Sequence, residues 1–440
     1  MSGRKTRMLG NMDGWLVILY LFLILFGWLN IYSSSFTEER GGLFDLGTSH
    51  GKQLLWMGIC CGAAVFILLL DSRIFPAFAY VFYGITIVLL GLVLVIGQEV
   101  DGNKSWFVIT DAIKIQPSEF AKFSTALVLA KIIGDTNFSF TPTSKNRALF
   151  TFFRIPFLSI TKEGVFAFLA VLASAGLILA ENDTGSTLVF LSFILAFFRF
   201  GFPWIFLIAG VMLVVLFFAA ILIPTVLVIL GLVLLALIAY FLLRNAIGGW
   251  KIILLLFIVF NVFTLAVKPI YNNILKEHHR TRIMVLLGKE KDLKGSGWNV
   301  NNSKMAIGSG GLSGKGFMKG SLTKLKFVPK QRTDFIFSTV GEEWGFWGSS
   351  LIILIYLFFM VRLLQVAERQ RSQFSMVYGY CVACVMFFHF FMNIGTTIGL
   401  APAVGIPLPF FSYGGSSLLG FTLLLWVFIR LDSQNLQILR

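Results

Sequence analysis

The chain has 440 residues, 57% of them hydrophobic and only 13% charged, with 48 phenylalanines and a mean hydropathy of +0.85. That balance excludes a soluble globular protein and describes an all-α polytopic membrane protein, because in lipid a helix satisfies its own backbone hydrogen bonds. The formal net charge is +15, but the basic residues gather in loops beside apolar spans, so no nucleic-acid partner is expected.

A helix needs about 20 apolar residues to cross a hydrocarbon core of about 30 Å. About twelve transmembrane helices are predicted, over 15–33, 53–70, 75–97, 116–134, 164–180, 187–202, 204–222, 226–243, 250–270, 339–363, 375–393 and 414–431. The first follows a basic start and has no small-residue cleavage site, which predicts an uncleaved anchor. Cys60 and Cys61 fall in the second span and Cys381 and Cys384 in the eleventh. A CxxC inside an apolar helix with no second ligand pair reads as packing. The 44 residues from Phe200 to Leu243 carry no charge; as one helix they would span about 66 Å, too long for a single crossing. Pro224 is expected to mark a hairpin between two helices. No internal repeat of fixed period is visible.

Lys and Arg accumulate in short cytoplasmic loops. Arg4, Lys5, Arg7, Arg73, Lys145, Arg147, Arg154, Lys162, Arg199, Arg244, Lys251, Arg362, Arg369, Arg371, Arg430 and Arg440 fall on one side, against Arg40, Lys52, Lys104 and Lys114 on the other. Both termini are therefore expected inside. The same parity puts outside 34–51, 98–115, 181–186, 394–413 and the long loop between spans nine and ten. That loop, Lys268 to Phe335, holds fourteen Lys or Arg and four Asp or Glu. A segment of that length can be translocated despite its charge.

The fourth span begins IQPSEFAKF, placing Glu119 and Lys122 three residues apart on one helix face, where they can pair. A charge near the bilayer centre costs about 2.5–3.5 kcal/mol on insertion scales, so such residues face the bundle interior or a wet cavity. Two compatible readings stay open: a salt bridge that locks helices, and a substrate cavity in which the pair orients Lys122 toward a phosphate. Just before them, Trp106 and Lys114 lie at the outer rim, where Trp106 alone reads as an interfacial anchor.

Within the long loop, IGSGGLSGKGF (307–317) fails the Walker A test, since Ser309 and Gly316 occupy two required positions. What survives is a flexible turn or a nest of backbone N–H groups for an anion, with Lys304, Lys315 and Lys319 nearby. His278 and His279 adjoin Glu277 without metal-site spacing, so no protein-bound metal is assigned. Asp334 stands where the chain re-enters the bilayer. An acid in a first helical turn is ordinary there, and spacing alone favours that reading over a general base among cations. Glu342 and Glu343, about two turns deeper, would be buried charges needing partners. Pro402, Pro407, Pro409, Gly414 and Gly415 then break the segment 393–417, which predicts a rim or re-entrant stretch lining a cavity.

Five ordered runs, IQPSEFAK (115–122), DTGSTL (183–188), SKMAIGSGGLSGKG (303–316), TDFIFSTVGEEWG (333–345) and GIPLPFFSYGGSS (405–417), together resemble the SEDS family of shape, elongation, division and sporulation. NIGTTIGLAPAVG looks more like its RodA-type elongation branch than its FtsW-type division branch. The resemblance implies a peptidoglycan glycosyltransferase that polymerises lipid II into glycan strands at the outer face of the bacterial cytoplasmic membrane, for elongation and rod shape. It makes Asp334 the general base for the acceptor 4-hydroxyl, with inversion and loss of undecaprenyl diphosphate. Lys122, Lys114, Glu119 and Arg282 match family positions for substrate, and Trp106, Lys304, Thr333 and Asn393 complete the expected substrate-binding set.

The implied partners are a class B penicillin-binding protein and other elongation-complex proteins. No tightly bound cofactor is implied; a divalent cation, Mg or Mn, is admitted without a ligand set. The resemblance also implies a core of ten helices, so 226–270 is expected to be an inserted helical hairpin in a single integral membrane domain (1–440) whose catalytic loop is 268–338. Two departures stand out: Lys326 replaces a second acid, and Asn182 replaces the proline before Asp183. A lipid II flippase, a division-type septal polymerase and a structural scaffold are the competing expectations. Flipping needs cations for the diphosphate and access from both sides, but no general base at the outer rim.

Overall fold

A computed structural model of the chain describes residues 12–35, 42–100, 103–110, 113–135, 138, 140, 148–150, 160–243, 249–275, 277–288, 296–325 and 327–435. Among the described residues, ten helices are long and apolar enough to cross a membrane: α1 (Gly14–Ser35), α2 (Ser49–Leu69), α3 (Ile74–Ile96), α5 (Lys162–Ala180), α8 (Trp204–Leu222), α9 (Thr225–Leu243), α10 (Gly249–Pro269), α14 (Ile336–Glu368), α15 (Gln373–Thr397) and α16 (Gly415–Asn435). Ten of the about twelve predicted spans are matched in this way. The other two predicted spans are shorter. Helix α4 (Pro117–Ile133) has 17 residues, about 25 Å. The run Thr184–Arg199 divides into α6 (Thr184–Val189), a 3-10 turn and α7 (Phe193–Arg199).

Local chemistry sets those two short elements. Pro117 opens α4 without an N–H to satisfy, after an extended Gln116. Asp183 caps α6 by accepting from the Ser186 N–H at 3.0 Å. Asn182 has φ of 63°, a left-handed conformation that Asn tolerates and a proline ring cannot adopt.

The loops hold more structure than an all-α reading predicts. Three strands, β1 (Gln98–Val100), β2 (Asn103–Val108) and β3 (Lys114–Ile115), pair antiparallel in that order. A second small sheet pairs β4 (Ala148–Phe150) with β5 (Ile160–Thr161). Such strands are too short for period-two alternation to announce them. The long basic loop contains α11 (Glu277–Leu286), α12 (Ser296–Ser309) and α13 (Ser321–Lys324). Lys326 lies outside the described residues, as do the side chains of His278 and His279.

Contacts divide the chain into two compact units: Met1–Phe138, Phe166–Ala196 and Val285–Arg440, and separately Ser139–Val165 and Phe197–Met284. In the first unit α4 packs against α3, α15 and α16, α16 against α2, and α14 against α1 and α15. An ion cluster ties the ends of three helices: Asp13 to Arg362 at 2.6 Å and to Arg369 at 3.2 Å, and Arg369 to Asp432 at 2.5 Å. Burial opposes ionisation of Asp13, but the Arg362 hydrogen bond helps to outweigh it and holds the carboxyl below its ordinary value.

In the second unit α10 packs on α8 and α9 around Leu216, Val228, Leu232 and Phe260. The expected hairpin forms at Ile223 and Pro224, with the Leu227 N–H donating to the Pro224 carbonyl at 2.9 Å.

Candidate functional site

Asp334 lies in the turn that precedes α14, half-buried. Its backbone is pinned from two neighbours. The Asn393 amide donates to the Asp334 carbonyl and to the Ile406 carbonyl, both at 2.8 Å. Ser412 Oγ donates to the Thr333 carbonyl at 2.6 Å, and the Tyr413 N–H to the Arg332 carbonyl at 2.8 Å. A Cβ added to Gly405 would stand 3.6 Å from Asp334 Oδ2, so the carboxylate lies beside the backbone of the Pro-rich segment. Gly405 has φ of 77°, a conformation that costs glycine little. The breaker-rich stretch predicted to line a cavity thus forms the wall against Asp334.

Below that wall the first unit buries a cluster of charge. Lys122 Nζ is 2.7 Å from Glu119 Oε2 and 3.1 Å from His389 Nε2, and lies over the Phe421 ring at 5.0 Å. His389 Nδ1 is 3.0 Å from the Pro407 carbonyl. Lys122 is 0% exposed, His389 1% and Glu119 3%. A charge with so little water is tolerated only when paired and held by further polar contacts, so the pairing of Glu119 and Lys122 predicted from helix spacing is present. His389 was not singled out by the sequence reading. Its signal was a lone His in an apolar run, one turn before Asn393 on the same helix face.

The glycine-rich run has a definite structural task. Helix α14 breaks at Gly345, with φ of 67° and ψ of −160°, which frees backbone groups that a membrane protein must satisfy. The loop supplies the partners: the N–H groups of Lys315 and Gly316 donate to the Glu342 and Glu343 carbonyls at 3.0 and 2.9 Å. The N–H groups of Phe346 and Trp347 donate to Gly311 and Leu312 at 2.9 and 3.2 Å. The anion-nest expectation is corrected for Lys315 and Gly316, because their N–H groups already have acceptors. Glu342 finds the partners it was expected to need: its carboxylate accepts from Lys315 Nζ at 2.6 Å and from the N–H groups of Leu322 and Thr323 at 2.8 Å each. Glu343 accepts from Ser33 Oγ.

The remaining predicted residues fall in different places. Thr333 adjoins Asp334. Lys304 is exposed on α12, with its side chain passing Gly399, and its neighbour Ser303 donates to the Thr397 carbonyl at 2.9 Å. Trp106 is half-buried in β2 opposite Gln98, and Lys114 is exposed in β3 opposite Val108. Arg282, half-buried in α11, belongs to the second unit. Asn393 is buried, with its Nδ2 committed to two backbone carbonyls. From the DTGSTL run, Asp183 Oδ2 accepts from Gln116 Nε2 at 2.7 Å, joining the start of α6 to the start of α4. Among the described residues, no three His, Cys, Asp or Glu side chains form a metal-binding group.

The FtsW/RodA/SpoVE family, described as cell cycle protein, matches residues 14–231 and 218–437. Peptidoglycan glycosyltransferase MrdB of Escherichia coli K12 is 28% identical over 413 residues, covering 93% of this chain and 90% of that protein. Peptidoglycan glycosyltransferase RodA of Treponema pallidum is 30% identical over 437 residues, covering 94% and 96%. A chain of a peptidoglycan synthase complex that coordinates polymerization and crosslinking has a TM-score of 0.68 at 24% identity, covering 97% of this chain and 99% of that one.

Proposed function

Because this chain belongs to the FtsW/RodA/SpoVE family of cell cycle proteins, we propose that it is a peptidoglycan glycosyltransferase of the RodA type. On this reading it polymerises lipid II during cell elongation, as a multi-pass protein of the bacterial cytoplasmic membrane. The observation that carries it is the setting of Asp334: a half-buried carboxylate beside the Gly405 backbone, its own main chain held by Asn393. A general base must be held within hydrogen-bond reach of the proton it takes, so a fixed backbone is what this role demands.

In the proposed step, Asp334 accepts the proton of the acceptor sugar's 4-hydroxyl as that oxygen attacks the donor anomeric carbon. The bond from that carbon to the diphosphate oxygen breaks with inversion, and undecaprenyl diphosphate leaves. Negative charge develops on the leaving group, which aimed cationic groups stabilise; Lys114 and Lys304 are assigned to that role, and Lys122 through its pairing with Glu119, while Arg282 is carried only as a substrate-binding residue that the resemblance implies. Trp106 and Thr333 complete the sugar and lipid contacts. A divalent cation, Mg or Mn, would arrive with substrate phosphates, as Mg2+ commonly does, and the step above does not use it.

With α4 and the Thr184–Arg199 run counted as crossings, both termini lie inside and Asp334 opens to the outer face. The hairpin 226–270 is read as an addition to a core of ten helices; deletion of both helices should leave a folded, active protein, and a folded but inactive one would overturn this. A class B penicillin-binding protein is the proposed partner, in line with the synthase complex to which the fold is similar.

The test is glycan polymerisation from purified lipid II by the wild type and Asp334→Asn, each co-purified with the penicillin-binding protein and checked for folding. The variant should lose about 10²–10⁴-fold in rate. Normal polymerisation by the variant would reduce Asp334 to a helix-end charge.

A further inference from the structure

We infer that His389 is a positioning residue that ties the buried Glu119–Lys122 pair to the wall beside Asp334. This rests on the transferase reading above, with Asp334 as the reacting group.

The hydrogen-bond roles are fixed by the partners. The Pro407 carbonyl can only accept, so Nδ1, 3.0 Å away, carries the proton. Lys122 Nζ, 2.7 Å from Glu119 Oε2, donates to its neighbours, so Nε2, 3.1 Å from it, presents a lone pair. The ring is therefore the neutral Nδ1–H tautomer, donating on one side and accepting on the other. Phe421 holds both groups in place: its ring meets the imidazole edge-on at 4.7 Å and lies beneath the ammonium at 5.0 Å.

Pro407 lies two residues beyond Gly405, which flanks the Asp334 carboxylate. Asn393, four residues after His389 on α15, binds the Ile406 and Asp334 carbonyls. One face of α15 thus grips the Pro-rich segment at consecutive carbonyls, Ile406 through Asn393 and Pro407 through His389. Only the His389 grip leads onward to the buried ion pair. Prolines 402, 407 and 409 remove three backbone donors from this segment, and side-chain donors help to place it: Asn393, His389 and Thr396 of α15, the last on the Pro402 carbonyl at 3.0 Å, and Tyr356 of α14 on the Pro409 carbonyl at 2.6 Å. A change at His389 therefore displaces the wall without touching substrate.

The test uses the full-length chain with its penicillin-binding protein, as wild type, His389→Leu and His389→Gln. Gln keeps a donor and an acceptor at nearly the imidazole spacing, whereas Leu keeps neither. His389→Ala, with room for water in place of the ring, substitutes if the Leu variant does not fold. Amide hydrogen exchange over 401–413 should accelerate about tenfold or more in His389→Leu and return toward wild type in His389→Gln. In lipid II polymerisation, His389→Leu should lower kcat about 10- to 100-fold with KM changed less than about threefold, and His389→Gln should recover most of the rate. Unchanged exchange in folded His389→Leu, a loss confined to KM, or a Gln variant no better than Leu would overturn the inference. If the wild type makes no polymer, the transferase reading fails, and the exchange data alone still decide whether His389 holds the segment.

Discussion

The two units of this chain enclose their helices to different extents. In the first, the buried share of the most apolar window runs from 22% in α3 to 72% and 78% in α15 and α16; in the second, those of α8, α9 and α10 are 11%, 6% and 17% buried. The first unit surrounds Glu119, Lys122, His389, Glu342 and Asn393 with protein. The second has a small core of Leu216, Val228, Leu232 and Phe260 and presents Leu230, Leu234, Leu237 and Phe241 outward. The difference teaches that polar groups in a membrane protein must be enclosed by other helices, because lipid offers them no partner, whereas apolar side chains lose almost nothing by facing lipid.

The largest expected effect breaks the enclosed pair. Lys122→Met leaves Glu119 buried without its cation and should lower stability by about 3–5 kcal/mol, read by thermal unfolding in detergent. Leu230→Ala in the second unit, 58% exposed, should change it by less than about 1 kcal/mol. Equal effects from the two substitutions would erase the contrast.

Glycines give a second test. Gly345 has φ of 67°, and an added Cβ would collide with the Gly314 backbone. Gly345→Ala should cost about 2–5 kcal/mol and loosen the 310–316 loop. Gly231 lies within α9 with nothing within 4 Å of an added Cβ, so Gly231→Ala should be neutral or stabilise by up to about 1 kcal/mol. Circular dichroism melts of the two variants check both signs.

The smallest effect compares two buried acids of the first unit, Glu119 with a cation and Glu181 without one. Burial first, and then the nearby Asp183, push the Glu181 carboxyl up from 4.5 to about 8; among the described residues its two oxygens have no hydrogen-bond partner. The folded state therefore binds a proton that the unfolded chain has released. Between pH 4.5 and about 8 stability from this group falls as pH rises, and it levels off above the folded value. Glu181→Gln, which stays neutral, should flatten that decline in a series of melting temperatures. A wild-type profile as flat as the variant's would show Glu181 ionised throughout.

Much of the site was legible in one dimension. Spacing alone put Glu119 and Lys122 on one helix face, and the prolines of 402–409 announced a segment unable to continue as helix. The anonymous run FFHFF gave almost no signal, since one histidine in an apolar stretch is the same in sequence whether it fills space or joins two groups. The glycines of 308–316 were visible, but their partners were not. Their acceptors and donors sit at the break in α14, about 30 residues further along the chain.

The sequence by itself determined the class of protein, the approximate spans, the Pro224 hairpin and the family, because those depend on hydropathy, local breakers and motif order. Only the tertiary structure decided that α4 is 17 residues long, that the Thr184–Arg199 run divides into shorter helices, and that β1, β2 and β3 pair as a sheet. It also decided that the glycine-rich loop mends α14 and that His389 joins Lys122 to the Pro407 carbonyl. The reason is physical: hydropathy is a sum over neighbours in sequence, whereas the pairing of a buried donor with its acceptor depends on which helices meet.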